Sequence, residues 1–143
     1  MPLHPKLAYF LKNFPPLEEP DLETIRSRNF VLQDESPPVA FVENSVISRE
    51  EGDLPIRIYR PEGEGPFPVF AYYHGGGFVY GNLDTHDSIC RIICNRTKQL
   101  VIAVDYRLAP EHPFPAAPLD AYFAANWISE HASRWNGDVS WLT

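Results

Sequence analysis

The part of the sequence best suited to chemistry is the glycine run in His74-Gly75-Gly76-Gly77-Phe78. Three consecutive residues without a Cβ permit positive φ angles, so their backbone N–H groups can point together into open space. Such donors stabilise developing negative charge. In acyl transfer that charge is the oxyanion of the tetrahedral intermediate, where one donor contributes about 3–4 kcal/mol. A plain tight turn needs only one or two glycines, so the run favours an oxyanion hole.

A dinucleotide-binding loop is the competing interpretation, because Asp105 stands where a ribose-binding acid would follow the next strand. Gly77 is followed by Phe78, Val79 and Tyr80, so the third glycine of G-x-G-x-x-G is missing. The predicted helix also starts too late to present its N-terminus to a pyrophosphate. We therefore expect no nucleotide, and no other cofactor.

A metal site is a further alternative, since His86, Cys90 and Cys94 are spaced four apart on a predicted helix. Three ligands on one face would still need a fourth partner, and no C-x-x-C pair supplies it. We expect both cysteines to face the core and no metal to bind.

Two apolar runs frame the glycine loop, at residues 69–73 and 100–104, and a helical stretch from about 85 to 98 lies between them. Wholly apolar strands joined through a helix predict a parallel, right-handed βαβ unit that is buried on both faces. The fold class is therefore α/β.

Further elements are predicted on either side of this unit. Alternating residues in 39–49 and 54–60 indicate a β-hairpin, and residues 116–131 indicate another helix. Residues 6–12 and 21–30 are predicted to be short helices, the second capped by Asp21.

Composition bounds the class of protein. A net charge of −7 over 143 residues gives no basic cluster to replace the counterions of a nucleic acid. No stretch approaches the roughly 18 apolar residues that span a bilayer, and two cysteines make no disulfide framework. We expect a cytoplasmic protein that binds no nucleic acid and has no membrane span.

Two motifs in this order resemble the hormone-sensitive-lipase branch of the α/β-hydrolases: the HGGG loop with Gly81, and the segment Asp105-Tyr106-Arg107-Leu108-Ala109-Pro110-Glu111. The resemblance covers residues 40–138 and is also carried by His86-Asp87, Cys90-Arg91, Phe114-Pro115-Ala116-Ala117 and Asp120. It implies the N-terminal half of an α/β-hydrolase fold, with cap helices in residues 1–38 and a partial core in residues 39–143.

The resemblance also implies roles for individual residues. The N–H groups of Gly76 and Gly77 would form two arms of the oxyanion hole, and His74 and Gly75 would shape the loop without His74 acting as the base. Aromatic residues would line the acyl pocket or cap, although ordinary packing explains the first three equally well: Tyr9, Phe10, Phe14 and Phe78. Asp105 with Arg107 is expected to be structural, and Asp120 to lie early in a helix where its charge suits the dipole.

The branch hydrolyses carboxylic esters with a serine nucleophile, an acid and a histidine base, in that chain order. No G-x-S-x-G occurs in this sequence, so we expect all three to follow Thr143 and residues 1–143 alone to be inactive. The expected partner is a small-molecule ester, and an unpaired outer edge of strand 69–73 would favour self-association. A non-catalytic binding protein, similar to the gibberellin receptors of this family, is the alternative.

Overall fold

In the computed structural model, which describes residues 5, 6, 9, 21–27 and 36–143, the strands form one mixed sheet. The strands are β1 (Phe41–Ile47), β2 (Leu54–Arg60), β3 (Phe67–Tyr73), β4 (Leu100–Val104) and β5 (Gly137–Asp138). Their order across the sheet is β1-β2-β4-β3-β5.

The predicted hairpin is confirmed. β1 and β2 pair antiparallel, with Phe41 opposite Arg60 and Ile47 opposite Leu54. Burial along β2 follows the alternation, since Ile56 and Ile58 are both buried. β1 is shorter than residues 39–49, because the pairing register ends where the chain turns away from β2.

The predicted βαβ unit is also confirmed. β3 and β4 pair parallel over five residues, from Val69 opposite Leu100 to Tyr73 opposite Val104. Helix α2 (Asp87–Thr97) joins them and ends at Lys98, whose φ of 56° is left-handed. Because the two strands are parallel, the C-terminal ends of β3 and β4 lie at the same edge of the sheet, where the loops that follow them meet.

Two more helices flank the sheet. α1 (Leu22–Ser27) is capped by Asp21, whose Oδ1 accepts the Thr24 N–H at 2.8 Å, as predicted. α3 (Ala116–His131) has the predicted bounds and is followed by 3₁₀ helices at Ala132–Trp135 and Val139–Trp141. Of the other predicted N-terminal elements, only Lys6 and Tyr9 fall within the described residues, and both are helical.

The core lies on both faces of the sheet. Along β4, Leu100, Ile102 and Val104 pack on the α3 side, whereas Val101 and Ala103 pack on the α2 side. A strand buried on both faces has no polar alternation, and this explains the continuous apolar run in the sequence. Among the described residues, no helix is long and apolar enough to cross a bilayer.

The outer edge of β3 differs from the expectation, because much of it is paired. Phe67 and Pro68 lie opposite Gly137 and Asp138 of β5. Further along, the Ala71 N–H donates to the Thr143 carbonyl at 2.9 Å, and the Thr143 N–H donates to the Val69 carbonyl at 2.9 Å. The chain itself therefore occupies an edge that sequence reasoning treated as open.

Candidate functional site

The loop that follows β3 is fixed to the sheet by His74. This side chain is 4% exposed and stacks on Tyr106 with ring centroids 4.4 Å apart. The Tyr106 hydroxyl donates to the His74 carbonyl at 2.5 Å. Tyr106 lies just after β4, so the ends of two neighbouring strands hold the start of the glycine loop.

Gly76 and Gly77 form a turn with two positive φ angles, which disfavour any residue other than glycine, and only at Gly76 is there also no space for a side chain. Gly76 has a φ of 136°, and a Cβ there would lie 1.9 Å from the Tyr80 carbonyl oxygen. Gly77 has a φ of 59°, but a Cβ there would meet no atom within 4 Å. The turn is closed by the N–H groups of Val79 and Tyr80, which donate to the Gly76 carbonyl at 3.0 and 3.1 Å.

The N–H groups of Gly76 and Gly77 are free of intramolecular acceptors in the part of the chain that the structure describes. A closed turn with unused donors is the arrangement that an oxyanion hole needs, because the donors then require little rearrangement when charge develops. The sequence-based assignment of these two residues stays a prediction.

Phe78 fastens this turn to the segment after β4. Its φ of 64° is uncommon for a large side chain, and its carbonyl accepts the Ala109 N–H at 2.8 Å. The ring is 62% exposed and meets Tyr106 edge-on at 6.3 Å. The glycine loop and the segment of residues 105–111 are therefore one connected unit.

Arg107 and Asp120 form the electrostatic centre of that segment. The guanidinium of Arg107 donates to Asp120 at 2.7 and 2.9 Å, and the Arg107 backbone N–H donates to the same carboxylate at 3.0 Å. Arg49 adds a contact of 2.5 Å from the β1–β2 turn. Burial would raise the pKa of Asp120, but the hydrogen bonds from Arg107 and Arg49 outweigh it and lower that pKa to about 2.

This network corrects two expectations. Arg107 pairs with Asp120 and not with Asp105, and Asp120 is fully buried between two guanidinium groups rather than simply facing a helix dipole. A buried carboxylate needs such partners, because an unpaired charge in the interior is costly. The segment is structural, as expected, but through a different acid.

Asp105 instead faces His74. Its Oδ1 lies 3.8 Å from His74 Nε2, a buried atom that has no hydrogen-bond partner among the described residues. His74 Nδ1 lies 3.0 Å from the Gly75 carbonyl, an acceptor, so this contact requires the proton on Nδ1. Burial raises the pKa of Asp105. The His74 ring is thus oriented by the loop that it shapes.

A cavity of about 860 Å³ lies between α1, the glycine loop and the segment after β4. It is lined by Ile25, Arg26, Gly75, Gly76, Tyr80, Gly81, Asn82, Thr85, His86, Ile89, Asp105, Tyr106, Arg107, Leu108, Glu111 and His112.

Several of the lining residues were not singled out by the sequence, notably Ile25, Arg26 and Tyr80. No local pattern marks Ile25 and Arg26, because they meet the loop only through tertiary contacts, and Tyr80 lies in the turn itself without any sequence signal that assigns it to a cavity. Phe78 and the largely exposed Tyr9 do not line this cavity, and their role in an acyl pocket stays a prediction. Phe10 and Phe14, assigned to the same pocket, lie outside the described residues.

Cys90 and Cys94 are buried against Tyr59 on the α2 side of the sheet, as expected for core cysteines. Burial raises the pKa of Cys90 to about 12 and that of Cys94 to about 11. His86 lines the cavity instead. In the described ranges, no three His, Cys, Asp or Glu side chains are placed to hold a metal ion.

Comparison with known proteins places this geometry in a family. The α/β hydrolase fold profile matches residues 70–143. Carboxylesterase NlhH of Mycobacterium tuberculosis is 38% identical over 146 residues, covering 96% of this chain and 45% of that protein. Carboxylic ester hydrolase LipN of the same organism is 55% identical over 82 residues, covering 57% of this chain and 22% of that protein.

A solved structure gives the same result. The esterase of Pyrobaculum calidifontis is 37% identical, with a TM-score of 0.84, over 99% of this chain and 47% of that one. The chain spans less than half the length of these relatives. The match of fold, profile and relatives confirms the resemblance drawn from the two motifs: the chain belongs to the α/β-hydrolase fold-3 family, whose relatives named here are ester hydrolases.

Proposed function

We propose that residues 1–143 supply the oxyanion hole of a serine-dependent carboxylic-ester hydrolase that acts on small-molecule esters. The observation that carries the proposal is the pair of unused N–H groups at Gly76 and Gly77, in a closed turn beside a cavity of about 860 Å³. The names of the relatives, carboxylesterase and carboxylic ester hydrolase, support the reaction class.

In the proposed reaction, a serine oxygen attacks the ester carbonyl carbon while a histidine removes the serine proton. The carbonyl π electrons move onto its oxygen, which accepts hydrogen bonds from Gly76 and Gly77. Collapse of this intermediate expels the alcohol, which takes the proton from histidine, and water then releases the acid by the same route. The proposal assigns the serine, histidine and supporting acid to residues outside 1–143.

A chimera tests the role of the donors. Residues 1–143 replace the aligned N-terminal segment of carboxylesterase NlhH, and hydrolysis of p-nitrophenyl butyrate is measured. Gly77→Pro deletes one N–H and distorts the turn, so we expect kcat to fall by about 100- to 1,000-fold with a much smaller change in KM. Gly77→Ala keeps the N–H and its added Cβ meets no atom within 4 Å, so despite the backbone strain of a side chain at a φ of 59° it should retain far more activity than Gly77→Pro.

The matched control is Gly63→Pro in the connection between β2 and β3. Gly63 also has a positive φ, of 126°, and its N–H, like that of Gly77, donates to no acceptor among the described residues, but it lies outside the cavity lining. It should leave kcat close to that of the parent chimera, and thermal unfolding should show whether each variant is folded. An unchanged kcat in folded Gly77→Pro would remove Gly77 from the site.

The 143-residue chain provides a second test. Donors alone act on an intermediate that they cannot generate, so we expect no p-nitrophenyl butyrate hydrolysis above a buffer blank. Saturable turnover that disappears in Gly77→Pro would contradict the proposal, because it would require a nucleophile within these residues.

A further inference from the structure

All three guanidinium nitrogens of Arg26 in α1 donate hydrogen bonds. Its Nε donates to the Val79 carbonyl at 2.9 Å, and its Nη2 donates to the Ala109 carbonyl at 3.0 Å. Nη1 and Nη2 also reach the two carboxylate oxygens of Glu111, at 2.6 and 2.8 Å. One side chain thus bonds to both loops that form the site.

Of the two carbonyls that Arg26 binds, Val79 lies in the turn that carries the proposed oxyanion donors, and Ala109 lies in the segment after β4 that is hydrogen-bonded to this turn. The Val79 N–H closes that turn by donating to the Gly76 carbonyl, and the Ala109 N–H donates to the Phe78 carbonyl. Arg26 therefore binds the carbonyls of the same two residues whose N–H groups close the turn and join it to the segment after β4. A shift of this side chain would be transmitted to the turn through the backbone.

Helix α1 has no side chain in the core. It contains six residues, none of them fully buried, and Ile25 and Arg26 line the cavity. Within the part of the chain that the structure describes, the hydrogen bonds of Arg26 therefore join this helix to the two loops of the site. A forked guanidinium that binds a carboxylate in two places provides geometric specificity as well as attraction.

We propose that Arg26 is a positioning residue: it latches α1 onto the glycine loop and holds the turn at Gly76 and Gly77 in its donor geometry. The inference rests on the proposed ester hydrolysis only for its kinetic consequence. The latch itself is a property of the folded chain and can be measured without turnover.

The charges of the latch remain present over a wide range of pH. The hydrogen bond from Arg26 lowers the pKa of Glu111 to about 2, and the same bond raises the pKa of Arg26. Because both side chains are partly exposed, dissolved salt should screen their attraction. The latch is therefore expected to weaken with ionic strength and to respond little to pH between about 4 and 9.

Amide hydrogen exchange on the 143-residue chain tests the latch directly. In Arg26→Gln we expect exchange at Val79, Tyr80 and Ala109 to be about tenfold faster than in the parent chain, with α1 also less protected. The strand amides of β2 and β4 should be unchanged. Arg96→Gln is the matched control, because Arg96 is an exposed arginine at the end of α2 and should alter none of these rates.

Two further variants distinguish the effect of the charges on Arg26 and Glu111 from the effect of their hydrogen-bonding geometry. Glu111→Gln keeps the acceptor but removes the charge, so it should give a smaller effect of the same pattern. Arg26→Lys keeps the charge but cannot bond both carbonyls and the carboxylate at once, so it should resemble Arg26→Gln. Faster exchange in α1 alone, or equal acceleration throughout the chain, would overturn the positioning role.

The kinetic arm uses the NlhH chimera. A misplaced turn should reduce the stabilisation of the transition state more than it reduces the affinity for substrate. We therefore expect Arg26→Gln to lower kcat about tenfold and to change KM less. A rise in KM with unchanged kcat would instead mean that α1 only encloses substrate, and would overturn the proposal. If every chimera is inactive, the proposed ester hydrolysis fails, while the exchange measurement still decides whether the latch exists.

Discussion

At the scale of single residues, Asp120 is a carboxylate held by two arginines. It is fully buried, and Arg49 and Arg107 approach it from the β1–β2 turn and from the segment after β4. Asp120→Asn would leave two guanidinium groups without their counter-charge, and we expect it to cost about 3–5 kcal/mol of unfolding free energy. Urea unfolding followed by circular dichroism measures this. A loss below about 1 kcal/mol, the size of an exposed pair, would contradict it.

The same residue predicts a pH dependence. Its pKa is lowered in the folded state to about 2, from an unfolded value near 3.8. The resulting stabilisation is therefore fully present above about pH 4 and is lost as the pH falls towards 2. Asp120→Asn should lack this part of the acid sensitivity. Unfolding free energies of both proteins between pH 2 and 6 would show it as two curves that converge at low pH.

Residue types and spacing were enough to predict the glycine loop, but not its partners. Consecutive glycines and the HGGG order are local signals. The contacts of Asp120 with Arg49, and of Arg26 with Glu111, join residues 71 and 85 positions apart. Such pairs depend on how the loops meet in space, and a single sequence contains no periodicity that records this.

At the scale of elements, the prediction was accurate where burial creates a period. The hairpin follows an apolar period of two residues, as half-buried strands do, and the parallel unit follows two continuous apolar runs, as strands buried on both faces do. α3 has apolar residues on its exposed face as well, among them Leu119 and Tyr122, so it is not clearly amphipathic. β5 has two residues, too few for any pattern. Its pairing with β3 depends instead on the turn at Asn136, whose carbonyl accepts the Phe67 N–H at 2.8 Å.

Gly137 makes that pairing sensitive to substitution. A Cβ there would lie 2.8 Å from side-chain atoms of both Leu100 and Val69 and 2.9 Å from the Ala132 carbonyl oxygen. Gly137→Ala should therefore displace β5 and cost about 1–3 kcal/mol, as overpacking does in other cores. Thermal unfolding measures the loss. Gly75→Ala is the steric control, since its Cβ would meet no atom within 4 Å; equal unfolding temperatures for the two variants would refute the prediction.

At the scale of the whole molecule, apolar surface remains exposed although the edge of β3 is largely paired. Phe114, Leu119, Tyr122 and Trp141 are 87%, 56%, 71% and 69% exposed. Apolar side chains that are exposed in one contiguous patch are typical of surfaces that bind other apolar groups, and Leu119 and Tyr122 lie on the same helix, α3. The expectation of self-association therefore stays a prediction, now through these side chains rather than through an open strand edge.

We expect the 143-residue chain to bind the dye ANS and to elute from size-exclusion chromatography at a position that depends on its concentration. Tyr122→Lys and Leu119→Lys on α3 should reduce both effects, because they place charge on the exposed apolar surface. Lys98→Gln provides a charge-altering control at an exposed site away from α3. A dye-silent monomer at every concentration would contradict the prediction.

The chain has two cysteines, and both are buried with pKa values raised to about 12 and about 11. A thiol reacts as its thiolate and only when a reagent can reach it, so neither should be alkylated while the molecule is closed. At pH 8, iodoacetamide should label the cysteines only after the α2 side of the sheet has opened. The labelling rate should therefore increase with urea. Immediate labelling in native buffer would contradict this. The two native thiols thus report, without any introduced cysteine, how often each variant described above opens on the α2 side of the sheet.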